Sequence, residues 1–208
     1  MSHSRILDIA VSEFGRKGLE GASTRGIAAA AGTAMSSITY HFGGKEGLYA
    51  AAASHIDAEM ADQMRSALSD GPVPEDAGDA RAEIHRLLDR LAVQLITDRD
   101  AESSLFIMRE QMHPTGAFDC FYRGTIGRMA RRMVSLVGAA TGAADRDARV
   151  TAMTLFGQVV VWRSSRALVD RLLDGPLDAG HEALVRHRIA RNTDCILDRL
   201  SADQQEPQ

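Results

Sequence analysis

The chain has 208 residues, of which 45% are hydrophobic and 25% charged, a balance that builds a packed core and excludes a disordered polymer. No apolar run approaches the roughly 20 residues of a membrane span, and Asp8 and Glu13 interrupt the first turns, so neither a membrane anchor nor a signal peptide is expected. The net charge is −4, which argues against indiscriminate coating of nucleic acid, but residues 1–50 hold five Lys/Arg against four acids, so the acidity lies in the remainder.

Gly and Pro punctuation with helical periodicity throughout predicts an all-α chain. Ile6, Ile9, Ala10 and Phe14 share one face of a helix over 4–17, ended by Gly18. Ser23 is a plausible N-cap for a helix to about Ala30, and Gly32 breaks it. A third helix spans roughly 35–42, ended by Gly43 and Gly44, and Lys45 opens a longer one to about Leu68. DGPVPEDAGD (70–79) reads as a linker or mobile loop. Ile84, Leu87, Leu88, Leu91 and Leu95 form the next stripe. Short helical spacing follows over 101–113, then a helix from near Thr115 to Ala140. Residues 147–173 predict one long helix, apolar almost all round between Ala152 and Trp162 and so fully buried. A last helix covers 181–200, and 202–208 reads as a disordered tail. Cys120 and Cys195 lack metal-ligand spacing and read as reduced thiols.

Ser23 to Leu48 carries the chemistry. Two short helices joined at a glycine suit a helix-turn-helix, in which the second helix enters the major groove and the first braces it. Ala28 and Ala31 allow close packing. Ile38 and Phe42, at i and i+4, face inward and leave Met35, Ser36, Ser37, Thr39, Tyr40 and His41 for DNA or solvent. The composite F-x-x-x-G, T-R-x-I-A-x-x-A-G and I-x-Y-H-F-x-x-K-E-x-L between Phe14 and Tyr49 resembles the TetR family of bacterial transcriptional regulators. That resemblance implies a three-helix DNA-binding domain over 1–48 and a helical effector-binding and dimerisation domain over 49–201. It implies base-edge readers at Met35, Ser36 and Ser37, phosphate or base contacts at Thr39, Tyr40 and His41, a backbone clamp at Thr24, and Lys45 at a helix N-terminus where its charge meets phosphate. Three positions depart from the pattern: Gly26 stands where a capping-box acid is usual, Ala34 where a polar N-cap is usual, and Thr39 where a tyrosine is frequent.

The resemblance further implies a homodimer through 147–173 and 181–200, double-stranded DNA as partner, a small-molecule effector, and a cytoplasmic location. Dimerisation has its own logic, since one reading helix spans few base pairs and two heads about 34–36 Å apart reach operator affinity. A deformable apolar lining is expected from Phe106, Phe118, Phe121, Tyr122, Met129, Met133 and Trp162, with polar contacts from Arg109, Glu110, His113 and Gln158. REQMHPTGAFD (109–119) also resembles one subgroup of the family. The implied mechanism is release of a repressor when an effector favours another spacing of the heads. No nucleophile elbow, phosphate loop or metal motif is present, so no cofactor, metal or enzymatic activity is expected. The alternative reading is a helical interaction protein that does not bind DNA.

Overall fold

The computed structural model describes residues 3–97 and 101–204, and among these every regular element is a helix. They are α1 (His3–Gly21), α2 (Thr24–Ala31), α3 (Met35–Phe42), α4 (Lys45–Met64), α5 (Ala77–Ile96), α6 (Ala101–Met112), α7 (Gly116–Arg123), α8 (Thr125–Thr141), α9 (Asp145–Ser164), α10 (Arg166–Leu172) and α11 (Ala179–Asp203). The chain forms two compact units: residues up to 63 with 101–127, and residues 64–97 with 128–204.

The first unit, the head, is built on α1. Its helical path is interrupted at Gly18, whose φ of 71° lies in the left-handed region that glycine tolerates. Phe14 meets the ring of Tyr49 edge-on at 4.8 Å and that of Phe106 at 6.5 Å, and Tyr49 stacks on Phe106 at 4.6 Å. Ile6, Ala10, Ile27, Ile38, Leu48 and Phe121 complete this core. The head therefore includes α6 and α7, which lie beyond the boundary expected at residue 48.

Two expected long helices are each divided. The stretch from Thr115 to Ala140 breaks at Gly124, whose ψ of −141° is not helical. There the Asp57 carboxylate of α4 caps α8, accepting from the Thr125 amide at 2.8 Å. The stretch 147–173 breaks at Ser165. Two lengths also differ: α4 ends at Met64, short of Leu68, and α11 continues to Asp203, into the expected tail. Residues 205–208 lie outside the described chain.

In the second unit α5 packs on α9 and α11. Arg81, His85 and Asp89 of α5 pair with Asp198, Asp194 and Arg186 of α11, at 2.6, 2.8 and 2.7 Å, an antiparallel ladder along the seam. The 70–79 segment, expected to be a linker, is pinned at its start. Arg132 of α8 holds buried Glu83 at 2.6 Å and donates to the Gly71 and Pro72 carbonyls at 2.8 and 3.2 Å. Helix α9 buries Ala148, Ala152, Leu155 and Val159, while Val150, Met153 and Val161 are exposed. It is thus half-covered within one chain rather than fully buried as its composition suggested.

Candidate nucleic-acid interface

The geometry of α2 and α3 follows from their ends. Ser23 Oγ accepts the Gly26 amide at 3.2 Å, which is half a capping box, since Gly26 returns nothing. Gly32, at φ 67°, closes α2 by donating to the Ala28 and Ala29 carbonyls. Ala34 begins α3 without a side-chain cap, as its residue type dictates, and Gly43 at φ 75° ends it. Buried Ile38 fixes α3 against the head core, and Phe42 is half-buried behind it.

The opposite face of α3 is open. Met35, Ser36, Thr39, Tyr40 and His41 are exposed and Ser37 is half-exposed. Tyr40 is 85% exposed, which rules out a role as a core ring. Thr39 folds its hydroxyl back onto the Met35 carbonyl at 3.4 Å. The His41 ring packs edge-on to Tyr40 at 5.0 Å and to His3 at 4.7 Å. Sequence reasoning missed His3, because nothing in the local pattern brings the start of α1 beside the end of α3. Thr24 occupies the first turn of α2, half-buried. Lys45, half-buried, opens α4 and donates from Nζ to the Glu20 carbonyl at 2.9 Å, so it ties the end of α1 to the start of α4 as well as carrying charge.

The residues expected to line an effector pocket are divided between the units. Phe106 and Phe121 are fully buried in the head core. Arg109 donates to the Gly15 and Arg16 carbonyls of α1 at 3.4 and 3.1 Å. Glu110, also buried, accepts from the Tyr49 hydroxyl at 2.6 Å and from the Thr115 amide at 2.9 Å. These four hold the head together. His113 and Tyr122 are exposed, and Phe118 stacks on Tyr122 at 6.3 Å. Met129, Met133, Gln158 and Trp162 belong to the second unit. There Gln158 donates to Thr193 Oγ1 at 3.0 Å, and its own Oε1 is buried without a partner. Cys120 and Cys195 are free thiols. No helix among the described residues is long and apolar enough to cross a membrane.

A short uncapped helix with a polar outer face, braced by a glycine-closed partner, defines the class: a helix-turn-helix protein with an appended helical unit. Comparison with known proteins gives the family. Residues 6–52 match the bacterial regulatory proteins of the tetR family, and residues 80–200 match the C-terminal domain of the HTH-type transcriptional dual regulator CecR. The chain is 31% identical to CecR of Shigella flexneri over 211 aligned positions, covering 95% of this chain and 92% of that one. It is 39% identical to the HTH-type transcriptional regulatory protein RaaS of Mycobacterium tuberculosis over 67 residues, about a third of each chain, 32% and 31%. Among solved structures, AibR in complex with isovaleryl coenzyme A and operator DNA has a TM-score of 0.67 at 17% identity, covering 89% of this chain and 94% of AibR. A TetR-family regulator from Streptomyces coelicolor has 0.66 at 16% identity, covering 95% of each chain. The chain belongs to the TetR family of bacterial transcriptional regulators, with a C-terminal domain of the CecR type.

Proposed function

We propose that the protein is an effector-responsive repressor without catalytic activity, acting in the cytoplasm, which binds a palindromic operator as a homodimer and leaves it when a small molecule binds the second unit. The observation that carries this reading is the open polar face of α3, rigidly mounted on Ile38 and flanked by Lys45 at the start of α4. Met35, Ser36 and Ser37 read base edges, and Thr24, Thr39, Tyr40, His41 and Lys45 meet backbone or base. Selection of bound duplexes from a random pool tests it. Half-sites separated by whole helical turns are expected, and enrichment of no sequence sinks the proposal.

Lys45→Gln removes the charge and keeps a polar donor at that position. It is expected to keep the fold and to lower the slope of log affinity against log salt by about one per head. Tyr40→Ala, at a freely exposed site, is expected to weaken duplex binding with no change in melting temperature. Both variants are read by anisotropy titration across salt concentrations, and unchanged affinity and slope would refute the contacts.

The dimer is supported by the uncovered faces of 147–173 and 181–200. Val150, Met153 and Val161 of α9, Leu168 and Leu172 of α10 and Leu184 of α11 are all exposed in the single chain. Gly157, also exposed, has nothing beyond its chain neighbours and its own helical backbone within 4 Å of where a Cβ would sit, leaving room for close helix approach. Met153, 66% exposed, is the position to test. Met153→Arg is expected to give a folded monomer by sedimentation and to lose operator affinity by several hundredfold, because a desolvated charge blocks the seam and one head reads too little DNA.

Effector contact is assigned to Met129, Met133, Gln158 and Trp162 in the second unit. Trp162 is the single tryptophan of the chain, so its fluorescence reports on a ligand screen directly.

A further inference from the structure

The head carries one cluster that DNA reading does not use. Helix α1 contributes Asp8, and α4 contributes His55 and Glu59, one turn apart. Their ligand atoms all lie within 4.8 Å of one another. His55 Nε2 is 2.9 Å from Asp8 Oδ1 and 3.3 Å from Glu59 Oε1. The imidazole is the shielded member, its side chain 18% exposed against 58% for Asp8 and 47% for Glu59.

A ring nitrogen carries at most one hydrogen, so it can satisfy one of these carboxylates well and not both. A metal ion accommodates all three. Zinc ligands of these types sit about 2.0–2.2 Å from the ion, so two at the tetrahedral angle lie about 3.4 Å apart, close to the 3.3 Å already present between His55 Nε2 and Glu59 Oε1. One imidazole with two carboxylates suits first-row transition ions, whereas Mg2+ and Ca2+ take oxygen alone. Two carboxylates also neutralise a divalent charge, and three protein ligands leave positions for water.

We propose that Asp8, His55 and Glu59 bind one divalent first-row transition ion that staples α1 to α4 within the DNA-binding head. Local spacing does not point to it, because the i, i+4 pair on α4 is completed by a residue 47 positions earlier.

The test uses untagged full-length protein stripped with a chelator. Titration with Zn2+ is expected to bind one ion per chain and to raise the melting temperature, while Mg2+ does neither. Co2+ is expected to give visible bands of nitrogen and oxygen coordination without thiolate charge transfer. Removing a direct ligand should cost at least the tenfold to hundredfold typical of outer partners. His55→Gln, and separately Asp8→Asn and Glu59→Gln at exposed positions that folding tolerates, should therefore each weaken Zn2+ binding more than tenfold. The absence of Zn2+ binding at submillimolar concentration overturns the proposal. So does binding that survives Asp8→Asn and Glu59→Gln unchanged, which would put the ion elsewhere, such as the His3–His41 pair or the thiols.

Discussion

Replacing Gly47 by alanine is expected to abolish specific operator binding while leaving the second unit folded. A Cβ at Gly47 would fall on the carbonyl oxygen of Phe42, with the carbonyl carbon also inside contact distance. Both are backbone atoms, so no side chain can turn aside. The path from α3 to α4 is already fixed by Gly43 at φ 75° and Gly44 at φ 115°, and by the Leu48 amide donating to the Gly44 carbonyl at 3.0 Å. Leu48 and Tyr49 then enter the core. Relieving the overlap therefore means moving α4 away from α3, and α3 is the reading helix. Overpacking costs about 1–3 kcal/mol where side chains can yield, and with rigid backbone on one side the upper end is expected. Helix propensity alone predicts the opposite sign, since alanine is favoured over glycine in a helix by about 1 kcal/mol. The measurement is thus discriminating. Anisotropy with the selected operator should show affinity lower by at least about 100-fold, and hydrogen exchange should show loosening confined to the head. Wild-type affinity with a raised melting temperature would refute the account.

Gly47 also marks where sequence reasoning stops. Gly18, Gly32 and Gly43 were legible because each ends a helical period and each takes a positive φ. Gly47 has ordinary helical geometry, and its need for no side chain comes from the approach of a carbonyl five residues back. Gly124 is the same case at longer range. A Cβ there would strike the Asp57 carboxylate that caps α8, a partner 67 positions earlier in the chain. The order of the elements, the outer face of α3 and the inward-facing Ile38 followed from period and spacing. What covers an apolar face did not. Phe106 and Phe121 have the helical spacing of a ligand wall, yet Phe106 closes on Phe14 and Tyr49 from the other end of the sequence, and periodicity does not name a partner. The same limit made α9 read as a core helix, when Val150, Met153 and Val161 are exposed in one chain.

Glu110→Ala is expected to cost the head about 3 kcal/mol, because it strands the buried Tyr49 hydroxyl together with the part-buried amide and hydroxyl of Thr115. The carboxylate joins three parts of the head. It accepts the Tyr49 hydroxyl from α4 at 2.6 Å, and the amide and hydroxyl of Thr115 at 2.9 and 3.0 Å, where Thr115 in turn caps α7 through the Ala117 amide. Glu110→Gln fills the same space but turns a donor toward donors, so it should recover little of the loss. Tyr49→Phe removes a single donor and should cost about 1–3 kcal/mol at neutral pH. Its signature lies in alkaline solution. Burial first, and then the hydrogen bond to Glu110, raise the Tyr49 phenol well above its ordinary value. A phenol that holds its proton more tightly when folded contributes stability fully below its unfolded value of about 10, and loses that contribution as pH rises beyond it. Denaturation of wild type and Tyr49→Phe should therefore give curves that converge above pH 10, with the variant the flatter of the two. Parallel curves across that range would remove Tyr49 from the account. A Glu110→Ala protein as stable as wild type would show that the carboxylate was never the joint between α4, α6 and α7.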